Sequence, residues 1–283
     1  MITVETVASL KEHMARLRSG GKRVAFVPTM GNLHAGHLHL MQEARRYAQV
    51  VVASIYVNPL QFGQGEDFDA YPRTPAHDKT ALLSAGVDLL FMPKESEIYP
   101  RGREAQTCVE VPGLSNILCG AFRPGHFRGV TTVVNRLFNL VAPDAALFGK
   151  KDYQQWLLIR LMAADLGMPV EIIGIDTVRD PDGLAMSSRN RYLTPDERKT
   201  APRMYAALCT ARDQLRNNKI SPAEAEEDAA RELKSVGFRL DYVSVRRCQD
   251  LALPQPGDRK FVILAAAWLG RTRLIDNLEF ERE

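Results

Sequence analysis

Short, almost wholly apolar runs alternate with longer stretches in which apolar residues recur every three or four positions, and this rhythm persists to about residue 176. The runs at 24–27, 50–57, 87–92, 145–148 and 170–175 are rich in Val, Ile, Leu, Ala and Phe and predict buried strands, with a short strand at 2–4 ahead of them. Between them, 7–18, 37–48, 74–85, 129–141 and 152–166 predict helices. The first is ended by Gly20-Gly21, and the third is opened by Thr74-Pro75 in the N-cap and N1 roles. Strands apolar on both sides, alternating with helices, imply a parallel sheet covered on both faces: an α/β, Rossmann-like doubly wound sheet.

Beyond residue 176 the grammar changes. Thr194-Pro195-Asp196-Glu197 and Ser221-Pro222-Ala223-Glu224 are two capping boxes, each predicted to open a helix. They precede expected strands at 240–246, 260–269 and 273–278, joined by turns and read as antiparallel. The organisation predicted is a doubly wound domain over 1–176 and a smaller C-terminal α+β domain over 177–283, hinged near 175–178 and acting as a lid.

A chain of 283 residues buries enough surface to need no disulfide staples. Its 45% hydrophobic and 25% charged residues argue against extensive disorder. The net charge of +3 is too small to suggest a nucleic-acid partner. Cys108, Cys119, Cys209 and Cys248 form no C-x-x-C and read as free thiols of a reducing compartment. No apolar run has the length of a signal peptide or a membrane span, so a soluble, cytoplasmic protein is expected.

In a doubly wound sheet, ligands lie across the carboxyl ends of the strands. The segments with unusual chemistry fall there: 28–37, 58–62, 149–155 and 178–189. Pro28-Thr29-Met30-Gly31-Asn32-Leu33-His34-Ala35-Gly36-His37 joins a strand to a helix start, which gathers unpaired N–H groups and the positive end of a helix dipole into an anion site. Two imidazoles add N–H donors for a phosphoryl oxygen, and Gly31 and Gly36 let a nucleotide approach the backbone. The plainer role for either histidine is a cap or a packed side chain. A metal shared by His34, His37 and His39 is disfavoured, because on a helix the last two diverge by about 200°. Neither a P-loop nor a G-x-G-x-x-G is present.

Gly149-Lys150-Lys151-Asp152 either grips a phosphate and a ribose or is a solvated charged turn. Met186-Ser187-Ser188-Arg189 offers hydroxyls and a guanidinium to a triphosphate, or is a surface turn. Gln61 and Gln155 are neutral amides suited to substrate hydroxyls, unless they simply face water. The stretch from Arg123 to Arg128 is a carboxylate or phosphate clamp, a dimer contact or an exposed basic turn.

The His-x-Gly-His of the first segment resembles the signature of the adenylate-forming nucleotidylyltransferase superfamily. Further blocks lie at Val57-Asn58-Pro59-Leu60-Gln61-Phe62, Tyr71-Pro72-Arg73-Thr74, 123–130, 148–155, 187–190 and Leu274-Ile275-Asp276-Asn277. With them the chain resembles the pantoate–β-alanine ligase family over nearly its whole length. The resemblance implies a magnesium-dependent, two-step synthesis of pantothenate, a coenzyme A precursor. Pantoate attacks the α-phosphate of ATP and releases pyrophosphate; β-alanine then attacks the pantoyl adenylate and releases AMP.

It further implies catalytic roles for His34, His37 and Lys151, and ATP contacts from Met30, Gly31, Asn32, Leu33, His34, Ala35, Gly36 and His37. Gly149, Lys150, Lys151, Asp152, Val178, Met186, Ser187, Ser188 and Arg189 complete the implied nucleotide site. Gln61 and Gln155 are implied for pantoate, Asn58 for the β-alanine side and Arg123 as a further substrate contact, with no protein metal ligand and a homodimeric assembly. Family members usually carry acids at the positions of Ala35 and Lys150 and often at Cys119, so a more positive mouth is expected here. The rival readings are another nucleotidylyltransferase acting on a phosphorylated substrate, which has no use for the two glutamines, and a non-catalytic nucleotide sensor.

Overall fold

Val24, Ala25, Phe26 and Val27 are all without solvent exposure, as in a strand sandwiched between two layers, and they form most of β2 (Val24–Thr29). In the computed structural model, which describes residues 1–63, 65–217 and 219–282, this strand lies inside a sheet of order β1-β4-β3-β2-β5-β6. The other members are β1 (Ile2–Val4), β3 (Val50–Ile55), β4 (Leu89–Phe91), β5 (Ala145–Gly149) and β6 (Glu171–Ile175), and every pairing is parallel. β2 pairs with β3 from Val24↔Val50 to Thr29↔Ile55 and with β5 through Ala25↔Ala145. The chain thus moves outward from β2 through β3 and β4, then returns to the opposite side of β2. The order reverses between β2 and β5, which makes their carboxyl ends the switch point of the sheet.

Alternation along the strands divides the core. Ala25, Val27, Val51, Ala53, Leu90 and Leu147 pack with Leu40, Met41 and Ala44 of α2 (Ala35–Ala44) and Leu82 of α3 (Pro75–Ser84). On the other face, α6 (His126–Val141) lays Phe138 edge-on against Phe26 and Phe148, at 6.4 and 6.3 Å between centroids. Helix α1 (Val7–Arg18) contributes buried Leu10 and Met14. Two single-turn helices absent from the sequence reading, α4 (Glu95–Ile98) and α5 (Cys119–Phe122), lie in the long β4–α6 connection.

Some boundaries differ from expectation for local reasons. Helix α2 begins at Ala35, two residues early, because His34 is extended (φ −127°, ψ 174°) and takes the N-cap. Helix α6 begins three residues before Gly129 because left-handed Gly125 turns the chain into it. A 3-10 turn at Lys150–Asp152 precedes α7 (Tyr153–Asp165).

The chain groups into two compact units: Met1–Lys150 with Leu158–Asp176, and Lys151–Leu157 with the chain from Thr177 on. The second unit contains α8 (Pro195–Thr200), α9 (Arg203–Arg216), α10 (Pro222–Ser235), β7 (Arg239–Arg247), β8 (Lys260–Leu269) and β9 (Thr272–Glu281), the strands forming an antiparallel sheet in that order. Both capping boxes form, with Thr194 and Ser221 accepting from the amides of Glu197 and Glu224. Two helices were expected where three are found. Pro202 lacks the N–H needed to continue α8, so the chain restarts as α9. Leu208, Leu233, Ile263, Ala265, Ala267 and Leu274 form the core between these helices and the sheet.

Candidate functional site

The loop leaving β2 is built on a buried carboxylate. Asp78, 1% exposed in the first turns of α3, accepts the backbone amides of Asn32 and Leu33, both at 2.9 Å, and the hydroxyl of Thr74 at 3.1 Å. Thr29 donates its hydroxyl to the Ser54 carbonyl at 2.8 Å and receives the Gly31 amide at 3.2 Å. Gly31 has φ +80°, and a Cβ there would lie 3.0 Å from both Asp78 Oδ2 and Ile55 Cγ2, so the turn requires glycine. These contacts set the path by which the loop enters α2.

His34 and His37 then occupy the N-cap and N3 positions of that helix, their ring centroids 4.0 Å apart and tilted by 43°. The His34 amide donates to Nδ1 of His37 at 3.4 Å; since a backbone N–H can only donate, this contact leaves the His37 proton on Nε2. The carboxyl end of β2 thus combines the positive end of a helix dipole with imidazole N–H donors.

The turn after β3 holds Gln61 from two sides. Asn58, 1% exposed, accepts at Oδ1 from the Tyr99 hydroxyl (2.7 Å) and the Leu60 amide (3.3 Å) and donates from Nδ2 to the Gly129 carbonyl (3.0 Å) and Gln61 Oε1 (3.2 Å). Burial pushes the Tyr99 phenol far above its ordinary range, so it remains a donor. The Gln61 amide nitrogen lies 3.1 Å from Met30 Sδ, which brings this side chain beside the β2 loop.

The Gln61 carbonyl accepts from His126 Nδ1 at 2.8 Å and from Arg123 Nη2 at 3.4 Å. Arg123 is engaged by Glu66 in a bidentate pair, Nε–Oε1 2.7 Å and Nη2–Oε2 2.5 Å, and donates to His126 Nε2 at 3.0 Å. Helix α6 approaches so closely that a Cβ on Gly129 would lie 2.2 Å from the Leu60 carbonyl oxygen. Across the sheet, Gly149 ends β5, and Lys150 pairs with Asp176 at 3.2 Å.

The remaining candidates belong to the second unit. Asp152 is exposed, and Lys151 and Gln155 are partly buried in and after the turn that opens α7. Val178 and Met186 close a hairpin through Met186 N–H to Val178 O at 3.0 Å, and the Asp180 carbonyl accepts from the Gly183 amide at 2.9 Å. Ser187 caps the 3-10 turn Ser188–Tyr192 by accepting the Arg189 amide at 3.3 Å. Within the first unit the structure therefore brings together Met30, His34, His37, Asn58, Gln61 and Arg123, and within the second Val178 and residues 186–189.

Sequence reasoning missed Asp78 and Tyr99 as organisers. The Thr74 N-cap followed by an acid in the first turns of a helix was the available local sign for Asp78. Tyr99 had none, because its partner Asn58 lies 41 positions away.

The family model for pantoate-beta-alanine ligase matches residues 2–279. The pantothenate synthetase of Shewanella amazonensis is 56% identical over 283 residues, all of both chains. The crystal structure of pantothenate synthetase from Thermus thermophilus superposes with a TM-score of 0.91 at 48% identity, covering 98% of this chain and 99% of that one. That of the pantoate-beta-alanine ligase from Francisella tularensis, complexed with β-γ ATP and β-alanine, gives 0.82 at 34% identity, covering 98% and 97%. The chain belongs to the pantoate-beta-alanine ligase family.

Proposed function

We propose that this chain condenses pantoate with β-alanine at the expense of ATP, giving pantothenate, AMP and pyrophosphate through a pantoyl adenylate. The observation that carries the reading is the pair of imidazoles at the amino end of α2, on the switch point of a parallel sheet. Displacement at the α-phosphate needs little covalent chemistry from a protein; positioning and charge stabilisation suffice. His34 and His37 stabilise the charge that builds on the phosphates, and His37 Nε2–H is a donor suited to that task. Lys151, Ser187, Ser188 and Arg189 hold the triphosphate, while Gly149, Lys150, Asp152, Val178, Met186 and the 30–37 loop receive the rest of the nucleotide.

Gln61 and Gln155 bind pantoate. The β-alanine amine then attacks the acyl carbon of the adenylate and AMP leaves. Asn58 and Arg123 serve the substrate side through Gln61, which both grip.

Magnesium would arrive on the triphosphate, where it would neutralise part of the charge. The triphosphate oxygens would supply its ligands, and Asp78, the buried acid beneath the 30–37 loop, is engaged at both oxygens by backbone amides. No helix among the described residues is long and apolar enough to cross a membrane. We assign the enzyme to the cytoplasm, in keeping with cysteines that are held as thiols and not as disulfides, and to a homodimeric assembly. The test is AMP release with ATP, pantoate and β-alanine supplied singly, in pairs and together. AMP is expected only with all three, and His37→Ala is expected to lower kcat by about 10²-fold or more, as removal of a transition-state donor does. AMP release without β-alanine, or an unaffected His37→Ala, contradicts the reading.

A further inference from the structure

Strand β9 buries two polar residues at its middle: Asp276 and Asn277 are 5% and 6% exposed, between Leu274 and Leu278, which belong to or pack against the C-terminal core. Successive strand residues face opposite sides, so the two side chains serve different segments. Asp276 shares the face of Leu274 and takes the Arg179 guanidinium in a bidentate pair, Nη1–Oδ2 2.6 Å and Nη2–Oδ1 2.8 Å. The same guanidinium donates to the carbonyls of Gly183 (3.1 Å) and Asn277 (3.3 Å) and lies 3.5 Å from the Tyr205 ring centroid. Residues 178–186, the hairpin that runs directly into Ser187, are thereby fastened to β9.

Asn277 faces the other way. Its Nδ2 donates to the Lys151 carbonyl at 2.9 Å, and Glu279, on the same face, receives the Tyr153 hydroxyl at 2.9 Å. The Asn277 amide in turn donates to Asp276 Oδ1 at 2.8 Å, which locks the two residues together. A buried ion pair is weak evidence for stability, because desolvation offsets its Coulombic gain. What a bidentate pair supplies is a fixed geometry.

We propose that Asp276 and Asn277 are positioning residues for the nucleotide: one strand segment holds the hairpin leading to residues 187–189 on one face and Lys151 on the other. The inference rests on the reading that Lys151 and residues 187–189 bind ATP. Arg179 is the third member of the device, acting through Asp276. All three act through the groups they hold, so their effect is on the placement of the phosphate-binding groups.

The test is steady-state kinetics of Asn277→Ala, Asp276→Asn and Arg179→Lys in the intact protein, with ATP and pantoate varied in turn and thermal melts alongside. The KM for ATP is expected to rise about tenfold in Asn277→Ala, the loss of one buried hydrogen bond, with the KM for pantoate within about twofold of wild type. Arg179→Lys keeps the charge and drops the fork, so a smaller rise of about threefold is expected there even if Asp276→Asn does not fold. An unchanged KM for ATP, or equal rises for ATP and pantoate, overturns the proposal. Failure of the underlying reading shows separately, as wild-type protein that releases no AMP from ATP, pantoate and β-alanine.

Discussion

Gln61 has an amide with two chemically different ends, and the residues around it decide which end is engaged within the chain. The decision begins with backbone groups that have no choice of role. The Leu60 N–H must face an acceptor and the Gly129 carbonyl a donor, which orients Asn58 without ambiguity. The remaining Asn58 N–H then requires Gln61 Oε1, and the Gln61 NH₂ is left beside Met30. Gln61 therefore offers donors, matched to the carboxylate and hydroxyl oxygens of a hydroxy acid. Tyr99 braces this arrangement through Asn58 Oδ1. Tyr99→Phe is expected to raise the KM for pantoate about threefold to tenfold, the worth of one buried hydrogen bond, and to leave the KM for ATP within about twofold. Initial-rate measurements with each substrate varied check this; an ATP constant that moves as much as the pantoate constant rejects the relay.

At the scale of elements, the turn at Pro59–Gln61 is tied to the segment leading into α6 by Arg123, which Glu66 holds in place. Burial pushes the Glu66 carboxyl up, but the hydrogen bond and charge of Arg123, with the Gly63 amide, outweigh it and hold the group below the usual carboxylate range. A carboxyl whose folded pKa lies below its unfolded value stabilises fully above the unfolded value, and the contribution fades as pH falls through the folded one. Glu66→Gln is therefore expected to cost about 1 kcal/mol at pH 7, a modest figure because the pair is partly solvated. The gap to wild type closes as the pH drops below the usual carboxylate range. Urea melts of both proteins from about pH 7 to about pH 3 check the convergence; parallel curves rule it out.

The same contacts show what the basic cluster touches within the chain. Arg123 donates to Glu66 and, with His126, to the Gln61 carbonyl, so this part of the cluster braces the Pro59–Gln61 turn. No local pattern reports a pairing across 57 positions.

For the whole molecule, what could be read in advance follows from how far apart the interacting residues lie. The parallel sheet was legible because its central strands are almost wholly apolar, and α8 and α10 because their capping boxes are local, whereas α9 follows Pro202 with no side-chain cap to announce it. The bracing of the candidate site was not, because Asp78 meets Asn32 across 46 positions and Asp276 meets Arg179 across 97. Lys150 shows the same limit in its electrostatics. Read in sequence it is a surplus positive charge, whereas the structure pairs it with Asp176, an acid 92% exposed and so heavily screened.

That pairing trims the positive potential at the end of β5 without cancelling it, and replacing Lys150 by Glu reverses it beside a second acid. A triphosphate carries several negative charges and pantoate one, so the reversal acts mainly on the nucleotide. Lys150→Glu is expected to raise the KM for ATP about threefold to tenfold, with less than about half that effect on the KM for pantoate, as expected for charges near a protein surface. The ATP effect should shrink when ionic strength is raised from about 0.01 to about 0.5 M, because screening then acts over a few ångströms. Equal effects on both substrates, or an ATP effect indifferent to salt, would show that Lys150 acts through the fold of the β5–α7 turn and not through its charge.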